Sequence, residues 1–148
     1  METKEIHKEI DLIQACIKRM ARNSFLLKGW CITILVAMLN LCYKEANALI
    51  VFLGFMVPIY IFWWLDAFFL RTEKKYRKMY EWVLQERKKG NDEFLYDLNP
   101  QRFRNEVPSF MDVVLSKTLF PIYGIPFLLT LFTEFYFLMK YCCCCCCC

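Results

Sequence analysis

The stretch Ala46-Asn47-Ala48-Leu49-Ile50-Val51-Phe52-Leu53-Gly54-Phe55-Met56-Val57-Pro58-Ile59-Tyr60-Ile61-Phe62-Trp63-Trp64-Leu65 carries no charged side chain. A charge-free run of this length matches the roughly 20 residues a helix needs to cross a bilayer. It belongs to an apolar segment from about Asn47 to Leu70. A second such segment, from about Ser24 to Tyr43, precedes it, and only Lys44-Glu45-Ala46 breaks the two apart. Two matched apolar arms about one tight turn predict a transmembrane helical hairpin.

Composition agrees. Hydrophobic residues make up 58% of the 148, and aromatics 18%, both high for a domain whose apolar surface must fit inside an aqueous core. A chain of this length makes one domain or one small bundle. Its net charge of +4 is modest, so the distribution of charge says more than the sum. The charged first twenty-two residues and the missing small-residue cleavage site predict an anchor rather than a cleaved signal.

Outward from the hairpin, Met1–Arg22 reads as a helix. Ile6, Ile10, Ile13, Ile17 and Met20 recur at spacings of four and three, giving one apolar stripe on a charged helix. Past the second span, Tyr76, Met79, Tyr80 and Val83 repeat the pattern. Gly90-Asn91 supplies the stop, since both residues tolerate the left-handed conformation that ends helices. The arms Met1–Tyr43 and Asn47–Lys89 predict an antiparallel pair, leaving the bilayer as a coiled coil. Alternatively, the stripes Ile6, Ile10, Ile13, Ile17, Met20 and Tyr76, Tyr80, Val83 form a seam with a partner or a second copy.

The later chain is less regular. Leu98-Asn99-Pro100 and Val107-Pro108 signal turns. Ser109 with Asp112 reads as a capping box opening a short amphipathic helix through Lys117. A third apolar run, Thr118–Met139, contains Pro121, Gly124, Pro126 and Glu134. It is long enough to span, and its prolines also suit a re-entrant or kinked element. The expected organisation is a helical hairpin over 1–89 (spans at about 24–43 and 47–70), a linker and amphipathic helix over 90–117, a third transmembrane helix over 118–141, and a poly-Cys tail over 142–148. The fold class is an all-α membrane protein.

Of the nineteen Lys and Arg residues, all but Lys44 and Lys140 lie before the first turn or between the second and third runs. The positive-inside rule then places the N-terminus in the cytoplasm. Trp30, Trp63 and Trp64 fall where an interfacial aromatic belt would.

Several residues within or beside the apolar runs invite a role. Lys28 and Asp66 fall at similar expected depths, which suits either an intramembrane charge pair or an ion relay. Glu134 sits among Leu131, Phe132, Phe135 and Phe137. A carboxyl there faces a polar cavity or pore, or bonds to a neighbouring helix in neutral form. Pro58 removes the hydrogen bond to the Gly54 carbonyl, and the pair forms a candidate hinge. Arg71, Lys74, Lys75, Arg77 and Lys78 are placed to meet anionic headgroups, and Arg87-Lys88-Lys89 adds a second basic patch. Interspersed Glu73, Glu81 and Glu86 argue against nucleic acid. Contiguous cysteines at 142–148 bridge poorly, and zinc sites show spaced pairs with His, none of which is near. With His7 as the sole histidine and no phosphate loop, nucleophile elbow or HExxH, the sequence points to no enzyme, metal or cofactor.

Arg22-Asn23-Ser24-Phe25-Leu26-Leu27-Lys28-Gly29-Trp30 and Phe62-Trp63-Trp64-Leu65-Asp66-Ala67-Phe68-Phe69-Leu70-Arg71-Thr72-Glu73-Lys74-Lys75-Tyr76 together resemble a family of small, uncharacterised bacterial multi-pass membrane proteins. The resemblance covers the hairpin, about half the chain, and implies the bacterial inner membrane. The architecture is also similar to that of membrane effectors of bacterial antiphage systems. Three thin helices enclose little, so a homo-oligomeric channel or membrane-perturbing effector is the leading expectation. A membrane-anchored scaffold docking a cytoplasmic partner through the basic hairpin is the alternative.

Overall fold

A computed structural model describes residues 3–42, 48–91 and 94–146. The regular elements among these residues are all helical, with no strand. Helix α1 covers Thr3–Cys42 and α2 covers Ala48–Lys88, 40 and 41 residues long. A 3-10 turn at Pro100–Phe103, a short α3 at Phe110–Val114, a π-helical turn at Phe120–Gly124 and α4 at Ile125–Cys146 follow. Lys44-Glu45-Ala46 lies outside the described residues.

Both long helices are apolar enough to cross a membrane. In their most apolar windows, only 11% of the residues of α1 and 17% of those of α2 are buried. The core helix of a soluble protein buries most of such a window. Here Trp30, Ile32, Val36, Leu39, Leu49 and Leu53 point outward. Helix α2 continues through Pro58, whose missing N–H costs one backbone bond without ending the helix.

The described chain forms two compact units. The first combines Met1–Leu26 with Asp66–Val113. Its core is Ile13, Met79, Val83 and Phe103, with Ile17, Tyr76, Tyr80, Trp82 and Leu98 packed against it. The two stripes therefore meet within the chain. Bonds from Ser24 to Asp66 and from Arg87 to Glu9 show that α1 and α2 run antiparallel in this unit. Of the residues expected in a seam, Ile13 and Val83 are 0% and 1% exposed, and Ile17, Tyr76 and Tyr80 pack against the same core.

Helix α2 ends as its sequence foretells. Gly90 takes φ +73°. Its N–H donates to the Arg87 carbonyl and that of Asn91 to the Glu86 carbonyl, the paired bonds of a Schellman motif. The capping box also forms, with the Asp112 N–H donating to Ser109 Oγ (3.2 Å) and the Ser109 N–H to Asp112 Oδ2 (3.0 Å). Helix α3 stops at Val114 rather than Lys117. Beyond it a new turn begins, in which the Leu119 and Phe120 N–H groups both donate to the Ser116 carbonyl.

The second unit combines Leu27–Leu65 with Val114–Cys148. The Trp63 indole organises it. Its ring stacks on Tyr123 (centroids 6.4 Å apart, planes 14° apart) and meets Phe120 and Phe127 edge-on, while its N–H donates to the Val114 carbonyl at 2.9 Å. Trp63 is thus a packing residue, unlike the exposed Trp30 and Trp64. In the π turn a Cβ on Gly124 would stand 2.6 Å from the Phe120 ring, so only glycine lets that ring lie flat there. The expectation of a third transmembrane helix is not supported. Among the described residues the apolar helical stretch is Phe120–Tyr136, short of a span.

Candidate functional site

The first unit holds two buried polar joints. Asp66 is fully buried and Ser24 nearly so, and the Ser24 hydroxyl donates to Asp66 Oδ1. Asp66 follows directly on the charge-free run, where a carboxylate without donors would be costly. Lys28, its expected counter-charge, lies half-buried on α1 in the second unit.

The larger joint centres on Glu9. Arg87 grips its carboxylate with Nε and Nη2, each 2.9 Å from one oxygen. The N–H of Tyr96 adds a third bond at 3.0 Å, and Arg87 Nη1 reaches the Asn91 carbonyl. Both side chains are at most 3% exposed. Tyr96 and Phe94 adopt left-handed φ of 61° and 63°, an uncommon conformation for bulky residues. Their contacts offset it: Tyr96 binds Glu9, and Phe94 lies 4.1 Å beneath the Arg102 guanidinium, which also covers Trp82. Arg87 accordingly leaves the second basic patch, and Lys89 is paired with Glu86 at 2.8 Å.

The basic run on α2 divides in two. Arg77 pairs with Glu73 and Lys78 with Glu81, each at 2.7 Å. The hydrogen bond and charge of Glu81 raise the Lys78 pKa. Arg71 and Lys75, one turn apart, have neutral partners instead: the Pro108 carbonyl at 3.2 Å and Gln101 Oε1 at 3.1 Å. Burial lowers the Lys75 pKa, and the Arg71 and Arg104 guanidiniums push the same way. Lys74 stands half-buried on the same helix.

In the second unit, Glu134 is half-buried on α4 while Leu131, Phe132, Thr133, Phe135 and Tyr136 are exposed, so its carboxyl lies off the helix's outermost face. Phe52, Met56, Val57, Tyr60 and Ile61 on α2, with Phe127 and Leu131 on α4, line an apolar groove of about 310 Å³. Gly54 lies half-buried in the α2 stretch that contributes to this groove. The last two cysteines lie outside the described residues, although α4 continues to Cys146. Among the described residues no His, Cys, Asp or Glu cluster could hold a metal.

Glu9, Ser24, Tyr96 and Arg104 are the residues sequence reasoning missed. Only the cation–carboxylate complementarity of Arg87 and Glu9 hinted at any of them, and their distance along the chain concealed it. No protein-family model matches this chain, and neither the curated proteins nor the solved structures include a match.

Proposed function

We propose that this chain is an integral membrane protein of the bacterial inner membrane, anchored by the apolar parts of α1 and α2, with its N-terminus in the cytoplasm. What carries the reading is the outward-facing apolar surface of both helices beside a polar unit that has its own core. Lipid is the solvent that makes such surface favourable, and a helix satisfies its own backbone there. The shorter α4 stretch suits an element that enters the apolar layer without crossing it.

Within that frame, we propose a homo-oligomeric channel or membrane-perturbing effector. Two spans enclose no path alone, so copies must assemble around one. Glu134, the one carboxyl on the largely apolar α4, is the residue to line it, with Gly54 and Pro58 as the bend in the neighbouring span. Expression should depolarise cells, and Glu134→Gln should reduce the effect. Unchanged membrane potential at high expression would remove the channel reading. Resistance of the chain to carbonate extraction from membranes tests the anchor separately.

The scaffold reading keeps one specific support. The first unit has its own core and carries basic side chains outside. A cytoplasmic partner would then meet that outer face rather than the Ile13–Val83 seam.

A further inference from the structure

We infer that Arg71, Lys75 and Arg104 form a binding site for a phosphate group. All three belong to the first unit. Arg71 and Lys75 lie on one face of α2, four residues apart. The 3-10 turn and the segment after it lie against them, held by Lys75 Nζ on Gln101 Oε1 within the turn and by Arg71 Nε on the Pro108 carbonyl beyond it. Arg104 immediately caps that 3-10 turn, and its guanidinium lies within electrostatic reach of Lys75.

Three features distinguish this cluster from an ordinary basic surface. First, no carboxylate among the described residues pairs with any of the three. The acids nearest in sequence are engaged elsewhere: Glu73 by Arg77, Glu81 by Lys78, Asp112 by Ser109. Second, Lys75 is only 7% exposed, so an ammonium is held largely out of water with a neutral amide as its partner, and the charges of Arg71 and Arg104 both act against it. Like charges gathered in this way are unfavourable until an anion joins them. Third, the donors suit a tetrahedral anion. Arg71 keeps both Nη groups beyond its Nε bond, Arg104 is an exposed guanidinium, and Lys75 is a buried point charge.

The neighbouring cations are sorted out of the site by the same contacts. Arg77 and Lys78 are already neutralised, and Arg102 is committed to Trp82, Phe94 and Asp97. The phosphate comes either from a lipid headgroup, since Arg71 directly follows the apolar run, or from free solution. The headgroup source rests on the membrane reading above; the cluster does not.

The test is titration calorimetry on the detergent-solubilised full chain with dihexanoyl phosphatidic acid, dihexanoyl phosphatidylcholine and inorganic phosphate. Arg104→Ala removes an exposed side chain and should weaken binding about tenfold, as expected for one lost charge-assisted contact. Lys88→Ala, the same charge change on the exposed end of α2, should change it less than about twofold. Binding of phosphatidic acid alone assigns the site to a headgroup. Equal binding of inorganic phosphate, with equal loss in Arg104→Ala, assigns it to the free anion. The site is overturned if phosphatidylcholine binds as well as phosphatidic acid, if no phosphate compound binds, or if Arg104→Ala and Lys88→Ala behave alike. Carbonate extraction reports on the anchor independently, so loss of one result leaves the other legible.

Discussion

Arg87 and Glu9 stand 78 residues apart in the chain and share two parallel bonds of 2.9 Å, with both side chains removed from water. A planar guanidinium matched to a carboxylate is the arrangement that best offsets the desolvation of two ions. The Tyr96 N–H fills a further site on the carboxylate, so three separate stretches of chain depend on one acid.

Removing one partner should therefore cost far more than a surface charge would. Glu9→Gln or Arg87→Met is expected to destabilise the first unit by about 3–5 kcal/mol, because the remaining charge stays buried. The double variant should cost less than the sum. Denaturant unfolding of all four proteins in one mild detergent measures the coupling, and additivity would refute it.

The core joint makes a parallel claim. Val83→Ala and Ile13→Ala should cost about 1–4 kcal/mol each, as cavities in a packed cluster do. Substitution at the exposed Val36 should leave unfolding of the first unit unchanged. The same denaturant curves decide this.

Lys75 should show opposite effects on stability and on binding. Lys75→Met relieves repulsion from two guanidiniums and frees only the exposed Gln101 amide. The unliganded chain should become no less stable, while phosphate binding is lost. The pH dependence has a definite sign. A lysine whose folded pKa is lowered binds fewer protons when folded. Its unfavourable contribution is full below the folded pKa and fades as pH rises toward the ordinary lysine value of 10.5. A stability–pH profile of wild type should rise relative to Lys75→Met over that alkaline window.

Gly90 and Asp112 test the punctuation of the polar unit. Gly90→Ala should cost about 1 kcal/mol, since φ +73° disfavours any Cβ. The Ser109 bonds hold the Asp112 pKa below the ordinary value of 3.8. A depressed carboxylate stabilises above its unfolded pKa, and that contribution is lost as pH falls through the folded one. Ser109→Ala should accordingly flatten the acid limb below about pH 4, and circular dichroism against pH would reveal it.

Local signals were the readable ones. The Gly90-Asn91 stop, the Ser109–Asp112 box and the apolar stripes each involve residues within one or two turns, where chain geometry alone fixes the partners. The Ile13–Val83 packing was also within reach, because two stripes of matching length need only one fold about a turn. Glu9 with Arg87 was not, since a charge on a helix looks solvated until a distant helix covers it. Composition likewise could not show that Trp63 would turn to stack on Tyr123. Arg104, unremarkable in sequence, enters the proposed site only because it caps the 3-10 turn whose Gln101 bonds Lys75.

The first unit is assembled from two pieces, Met1–Leu26 and Asp66–Val113, with Leu27–Leu65 between them. A ribosome releases the first piece long before the second. Glu9 must therefore wait for Arg87, and Ser24 for Asp66, while the whole intervening apolar segment is synthesised. The order of manufacture thus sets the order of events: the greasy segment emerges and finds its surroundings before the polar unit can close. Chain that loses the later piece is left with an open Glu9 and an uncovered Ile13, a state that quality-control proteases would recognise.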